Sequence, residues 1–152
     1  MKAAVVRTAQ HPPVFGEYPD PAEVQGEVIV KVAASALSHL TRSRAAGRHY
    51  SSTADLNFVP GVDGVGRLPD GRSVFYLSLS ALRRDGQLSR VKENQCVFVP
   101  DEVDDLTMAA IAIPAMSSWA ALTDRAKILP GETVLINGAT GTAGKLAVQI
   151  AK

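Results

Sequence analysis

The sequence predicts a mixed α/β chain: a β-rich part built as a partial barrel, then helices, then one final strand–turn–helix unit. Three observations carry this. Short apolar runs at 62–68, 73–79, 87–91 and 96–99 are split by glycine and charged turns, a strand density that implies a small barrel or sandwich. The pattern changes at 103–113 to an Asp-rich start and an Ala-rich body, the composition of a helix. Last, 133–137 is continuously apolar, 138–144 is rich in glycine, and 145–152 consists of good helix formers.

Each element has its own reason. Residues 2–8 are short and β-branched and read as a strand. Residues 11–25, rich in Pro, Gly and acidic side chains, read as turns with one brief strand. In 27–33, Val28, Val30 and Val32 share one face and Glu27 and Lys31 the other, as a strand requires. Residues 38–46 read as a short helix with Ser38 as N-cap and Gly47 as its stop. Pro114 is expected to interrupt the helical run. A second helix then follows, with Ala115, Trp119, Leu122 and Ala126 packed on one face. Residues 130–132 form a turn, and 133–137 suits a parallel strand buried on both faces.

A chain of 152 residues fits one ordinary domain or two small ones, and its 46% hydrophobic content fills a core without a disulfide or metal staple. Sixteen basic against fifteen acidic residues leave a net charge of +1, which argues against nucleic acid or an anionic membrane as the main partner. The single cysteine, Cys96, excludes an internal disulfide and any multi-cysteine zinc site, and reads as a small core residue. The longest unbroken apolar stretch, 108–116, is too short to span a bilayer. The run 3–6 ends at Arg7, too short for a signal-peptide core. The expectation is a soluble cytoplasmic protein.

The glycine turn carries the chemistry. Gly138 lets the chain leave the strand tightly, Gly141 removes a side chain where a pyrophosphate approaches, and Gly144 lets the next helix pack closely. Amides near Thr142 and Ala143 then face phosphate oxygens, helped by the helix dipole, with Ala139 and Thr140 completing the turn. The alternative is a glycine-rich turn that binds nothing. Lys145 is followed by Leu146 and not by Ser or Thr, so the pattern is not that of a phosphate-cleaving loop. The residue that reads the ribose belongs about 20 positions further on, beyond Lys152. The chain is therefore expected to hold only the first βα unit of a truncated doubly wound fold, and to turn over weakly or not at all by itself.

Several runs resemble the zinc-independent quinone oxidoreductase branch of the medium-chain dehydrogenase/reductases. Residues 27–37 (EVIVKVAASAL) resemble its second strand and lead into the active-site helix, and 59–66 (VPGVDGVG) its Pro-Gly-x-Glu/Asp-x-x-Gly segment. Residues 70–75 (DGRSVF) resemble its Gly-Asp-Arg-Val turn, and 115–122 (AMSSWAAL) its Gly-hydrophobic-Thr-Ala-aromatic helix. The likeness is strongest over 131–152 (GETVLINGATGTAGKLAVQIAK). The resemblance implies a GroES-like catalytic domain with following helices over 1–125 and the start of a Rossmann domain over 126–152. It further implies NADPH as donor, with NADH possible, a cleft for a small-molecule quinone or enone, and a homodimer at full length.

Departures from the pattern matter too. Zinc-dependent relatives carry Cys at the position of Ser38 and His at that of Val62, so no metal site is expected. The branch's Asn-Pro-x-Asp lead is replaced by 38–41 (SHLT), which leaves Ser38 and Thr41 as the hydroxyls of the catalytic pocket. Thr142 and Ala143 replace its usual Gly-Val. Tyr50 has two readings, a hydrogen-bond donor to a substrate carbonyl and a partly buried packing aromatic. Ser117 matches the branch's cofactor-contacting Thr, and is otherwise an ordinary helix hydroxyl. His39 adjoins the pocket as a proton donor or a surface imidazole. Arg42, Arg44 and Arg48 read as a solvated helix face. A second class stays open, a non-catalytic nucleotide-sensing or oligomerising protein. A third, a short-chain-type epimerase or reductase, places its glycine turn near the N-terminus, whereas here the turn opens at Gly138.

Overall fold

Alternation decides the β-rich part. In the computed structural model, β3 (Glu27–Ala34) turns Val30 fully inward with Val28 and Val32 beside it, the face that the period of two predicts. Around β3 lie β4 (Asp63–Arg67), β5 (Ser73–Leu77), β6 (Leu88–Lys92) and β7 (Cys96–Phe98). They form one antiparallel sheet of order β6-β3-β4-β5-β7. Among the described residues it is an open sheet with β6 and β7 at its edges. Val30, Val74, Tyr76 and Val91 are its buried core, and Leu68 and Cys96 pack against them. Burying each such valine is worth about 1.5–3 kcal/mol.

The structure describes residues 1–8, 11–50, 52, 57–78 and 86–152, so the end of the run 73–79 lies outside it. They form two compact units, Met1–Ala109 and Ala110–Lys152. In the first, β1 (Lys2–Val5) and β2 (Val14–Glu17) pair separately, and Ala3 and Val5 pack with Val59 and Tyr18. Helix α1 (His39–Ala45) runs as predicted: Ser38 caps it and Gly47, at φ +68°, ends it. Its arginines do not all face solvent. Arg42 and Arg48 are exposed but Arg44 is buried, which corrects the reading of a uniformly solvated face.

Three expectations fail in the helical region. Helix α2 (Asp105–Trp119) runs straight through Pro114. Proline's fixed φ is itself helical, so the ring removes one ladder bond and crowds the preceding turn without ending the helix. The hydroxyls of Ser117 and Ser118 return to the carbonyls of Ile113 and Pro114 just beyond it. Next, Trp119 and Ala126 do not join a packed stripe: Trp119 is 57% exposed and Ala126 is exposed, while Ser118 and Leu122 are buried. A π-helical segment, Ala120–Arg125, follows α2, and its wider turn breaks the helical spacing on which the stripe depends. Finally, 133–137 is not a strand, and Leu135 is 96% exposed. A parallel strand exists only by pairing, and no described residue supplies a partner.

At the start of α2, Arg67 grips Asp105 through two bonds of 2.8 and 3.0 Å and also donates to Ser73 Oγ at 2.7 Å. By length and composition alone Asp105–Arg125, 21 residues of mean hydropathy 1.4, is apolar enough to cross a bilayer, a feature the unbroken run 108–116 does not reveal. Those two properties do not distinguish a span from a helix of a globular fold.

Candidate functional site

The glycine turn is assembled from backbone alone. After residues 132–136, which take no regular secondary structure, Gly138 takes φ +76°, a left-handed conformation that favours glycine. The Gly141 amide then donates to the Gly138 carbonyl at 3.0 Å. Gly141 is the extended N-cap of α3 (Thr142–Ile150), without a side chain to cap it. The first ladder bond runs from the Lys145 amide to the Gly141 carbonyl at 2.9 Å. The amides of Thr142, Ala143 and Gly144 therefore have no acceptor among the described residues. Three bare donors at the positive end of a helix dipole suit an anion such as a phosphate.

The glycines differ in what they leave room for. A Cβ on Gly144 would overlap the Gly138 carbonyl and sit 2.7 Å from Ala139 Cα, so the fold itself demands glycine there. A Cβ on Gly141 would meet only the Gly138 oxygen at 3.6 Å, an ordinary contact. Packing thus leaves Gly141 free, and its bareness opens the outer side of the turn. Ala139, Thr140, Thr142 and Ala143 are exposed around it.

A side chain not singled out by the sequence holds this turn. Ser118 is 7% exposed, and its hydroxyl donates to the Ala143 carbonyl at 2.8 Å and to the Pro114 carbonyl at 3.0 Å. Ser117, the residue picked out by resemblance, is exposed with its hydroxyl on the Ile113 carbonyl at 3.2 Å. Two adjacent serines in an Ala-rich run look alike on paper, and only the helix rotation separates them.

The other predicted residues gather around α1. The Ser38 hydroxyl accepts from the Thr41 amide at 3.2 Å and lies 3.2 Å from the Thr41 hydroxyl. Thr41 is 4% exposed and its hydroxyl faces the Ala36 carbonyl at 3.5 Å. The pair is thus brought together and engaged in holding the helix start. Tyr50 stands apart, 95% exposed, its ring 4.2 Å from that of His49 and tilted by 37°. That exposure removes the reading of Tyr50 as a partly buried packing residue. His39 is exposed. Among the described residues no group of three or more His, Cys, Asp or Glu side chains is placed to hold a metal ion. Val62, at the position where zinc-dependent relatives carry His, is buried.

No protein-family model matches the chain. Individual relatives do. A probable NADPH-dependent quinone reductase of Emericella nidulans is 29% identical over all of the chain, which covers 52% of that protein. Among solved structures, the quinone oxidoreductase of Thermus thermophilus, crystallised also with NADPH, is 27% identical with a TM-score of 0.86. An alcohol dehydrogenase superfamily protein of Novosphingobium aromaticivorans is 28% identical with the same TM-score of 0.86. Each likeness covers 99% of the chain and 50% of the other. The chain spans about half the length of the relatives it matches. The structural likeness spans the antiparallel sheet, the helices and the glycine turn alike, since it covers 99% of the chain. The chain is thus similar to quinone oxidoreductases and to an alcohol dehydrogenase superfamily protein, its homologues among the medium-chain dehydrogenase/reductases.

Proposed function

We propose that this protein is an NADPH-dependent oxidoreductase, able also to use NADH, that reduces quinones, enones or related activated double bonds without zinc. One observation carries the reading: the acceptorless amides of Thr142, Ala143 and Gly144 on a fold matched by a quinone oxidoreductase crystallised with NADPH. A diphosphate fits such a cradle, because the donors are fixed backbone groups and the bare Gly141 leaves them approachable.

When bound, NADPH supplies the hydride. The residues of this chain bind and orient. Gly138, Ala139, Thr140 and Gly141 shape the turn, Thr142, Ala143 and Gly144 offer their amides to the diphosphate, and Ser117 contributes a hydroxyl to the cofactor. In the β-rich part, Ser38 and Thr41 are the pocket hydroxyls and the exposed Tyr50 phenol donates to the substrate oxygen that gains charge. The hydroxyl at Ser38 and the buried Val62 support chemistry without zinc. In this reading residues 1–125 are the GroES-like catalytic part and 126–152 the opening of a Rossmann domain. The whole protein is a cytoplasmic homodimer with no membrane or nucleic-acid partner.

One observation favours a second reading. Ser38 and Thr41 already hold each other and the start of α1, as they would in a nucleotide sensor that performs no reduction. NADPH oxidation by the natural gene product, followed with a quinone and then an enone as acceptor, tests the proposal. Acceptor-dependent loss of NADPH is the expected result. Saturable NADPH binding with no oxidation by any acceptor supports the sensor, and no binding overturns both.

A further inference from the structure

We infer that Ser118 is a positioning residue for the nucleotide: its hydroxyl locks the first turn of α3 in the orientation that aims the Thr142–Gly144 amides at a diphosphate. The inference rests on the nucleotide-binding reading of the glycine turn. Ser118 is one of few buried polar residues and, with Leu122 and Ala147, lines the interior of the second unit. Its proton is shared between the carbonyls of Pro114, one turn back on α2, and Ala143, in the first turn of α3. The Ala143 carbonyl belongs to the peptide between Ala143 and Gly144. Holding that oxygen therefore fixes the plane that carries the Gly144 amide, because the peptide is rigid.

The lock matters because the turn is otherwise restrained mainly by its own backbone, through the Gly141–Gly138 and Lys145–Gly141 bonds. Gly141 provides no side-chain cap, and the residues on either side of it are exposed. Gly144 brings the backbone close to Gly138 and Ala139 but makes no side-chain contact of its own. Without the hydroxyl, the first turn of α3 frays and its donors must be ordered at the moment of binding, which weakens affinity.

The test compares wild type with Ser118→Ala, which removes the hydroxyl, and Ser118→Thr, which keeps it. The first readout needs no ligand: hydrogen exchange of the Lys145, Leu146 and Ala147 amides, which close the first turn of α3. The second is NADPH affinity from nicotinamide fluorescence. In Ser118→Ala, exchange at these amides and the NADPH Kd are both expected to rise on the order of five-fold, the effect of losing one buried hydrogen bond. Exchange in the β-rich sheet stays unchanged, and Ser118→Thr restores both values. Unchanged exchange in Ser118→Ala overturns the lock, as does equal loss in both variants. Faster exchange with unaltered Kd overturns its role in binding. A wild type that does not bind NADPH refutes the functional reading instead, and with it this role for Ser118, whatever the exchange shows.

Discussion

Gly144 is the position where one added methyl has the largest consequence. Its Cβ would run into the Gly138 carbonyl and approach Ala139 Cα at 2.7 Å, both backbone groups with no free end to swing away. Gly144→Ala is expected to cost about 1–3 kcal/mol, as overpacking does, and to weaken NADPH binding with it. Circular dichroism of the helices on heating and a fluorescence titration check the two halves. Ser38 carries the opposite kind of lesson. Its hydroxyl accepts the Thr41 amide at 3.2 Å as a helix cap. Ser38→Ala should therefore lower stability by about 1 kcal/mol in urea unfolding, whatever it does to catalysis. Ser38→Thr, which can still cap, should restore most of that stability. A loss of turnover in Ser38→Ala that Ser38→Thr also shows, at restored stability, identifies chemistry beyond the cap.

Helix α2 shows what a sequence declares about an element and what it withholds. Its start is legible: Asp104 takes the Thr107 amide at 2.9 Å and the Thr107 hydroxyl at 2.6 Å, the local geometry of an Asp-rich cap. These bonds, led by that from the Thr107 hydroxyl, hold the Asp104 carboxyl below the usual aspartate range. A carboxyl with a lowered folded pKa stabilises above its unfolded value, and the contribution disappears as pH falls through the folded one. Thermal unfolding followed from neutral pH into acid should thus fall more steeply for wild type than for Asp104→Asn, whose cap does not titrate. The Arg67–Asp105 clamp is well formed, yet the Arg67 side chain is 44% exposed. A double-mutant cycle is expected to give less than about 1 kcal/mol of coupling. The end of α2 was not legible. Helical spacing assumes a fixed turn, and the π-helical segment Ala120–Arg125 changes it beyond Trp119, which itself is 57% exposed.

At the scale of the molecule, what could be read was whatever local chemistry decides. Alternating valines set β3, a serine and a glycine bounded α1, and a run of glycines marked the turn that opens α3. What could not be read depends on partners. The run 133–137 has the composition of a buried strand, but burial needs a neighbour, and Leu135 stands 96% exposed without one. Ser118 was equally invisible, because its role appears only when α2 and α3 meet. The β-rich unit and the glycine turn are both parts of a fold shared over 99% of the chain with a quinone oxidoreductase, and the redox proposal stands on that turn. Backbone-amide NMR during an NADPH titration tests it most directly. Saturable shifts, largest at Gly141, Thr142, Ala143 and Gly144, are the expected result. A turn whose amides stay silent at saturating NADPH would contradict it.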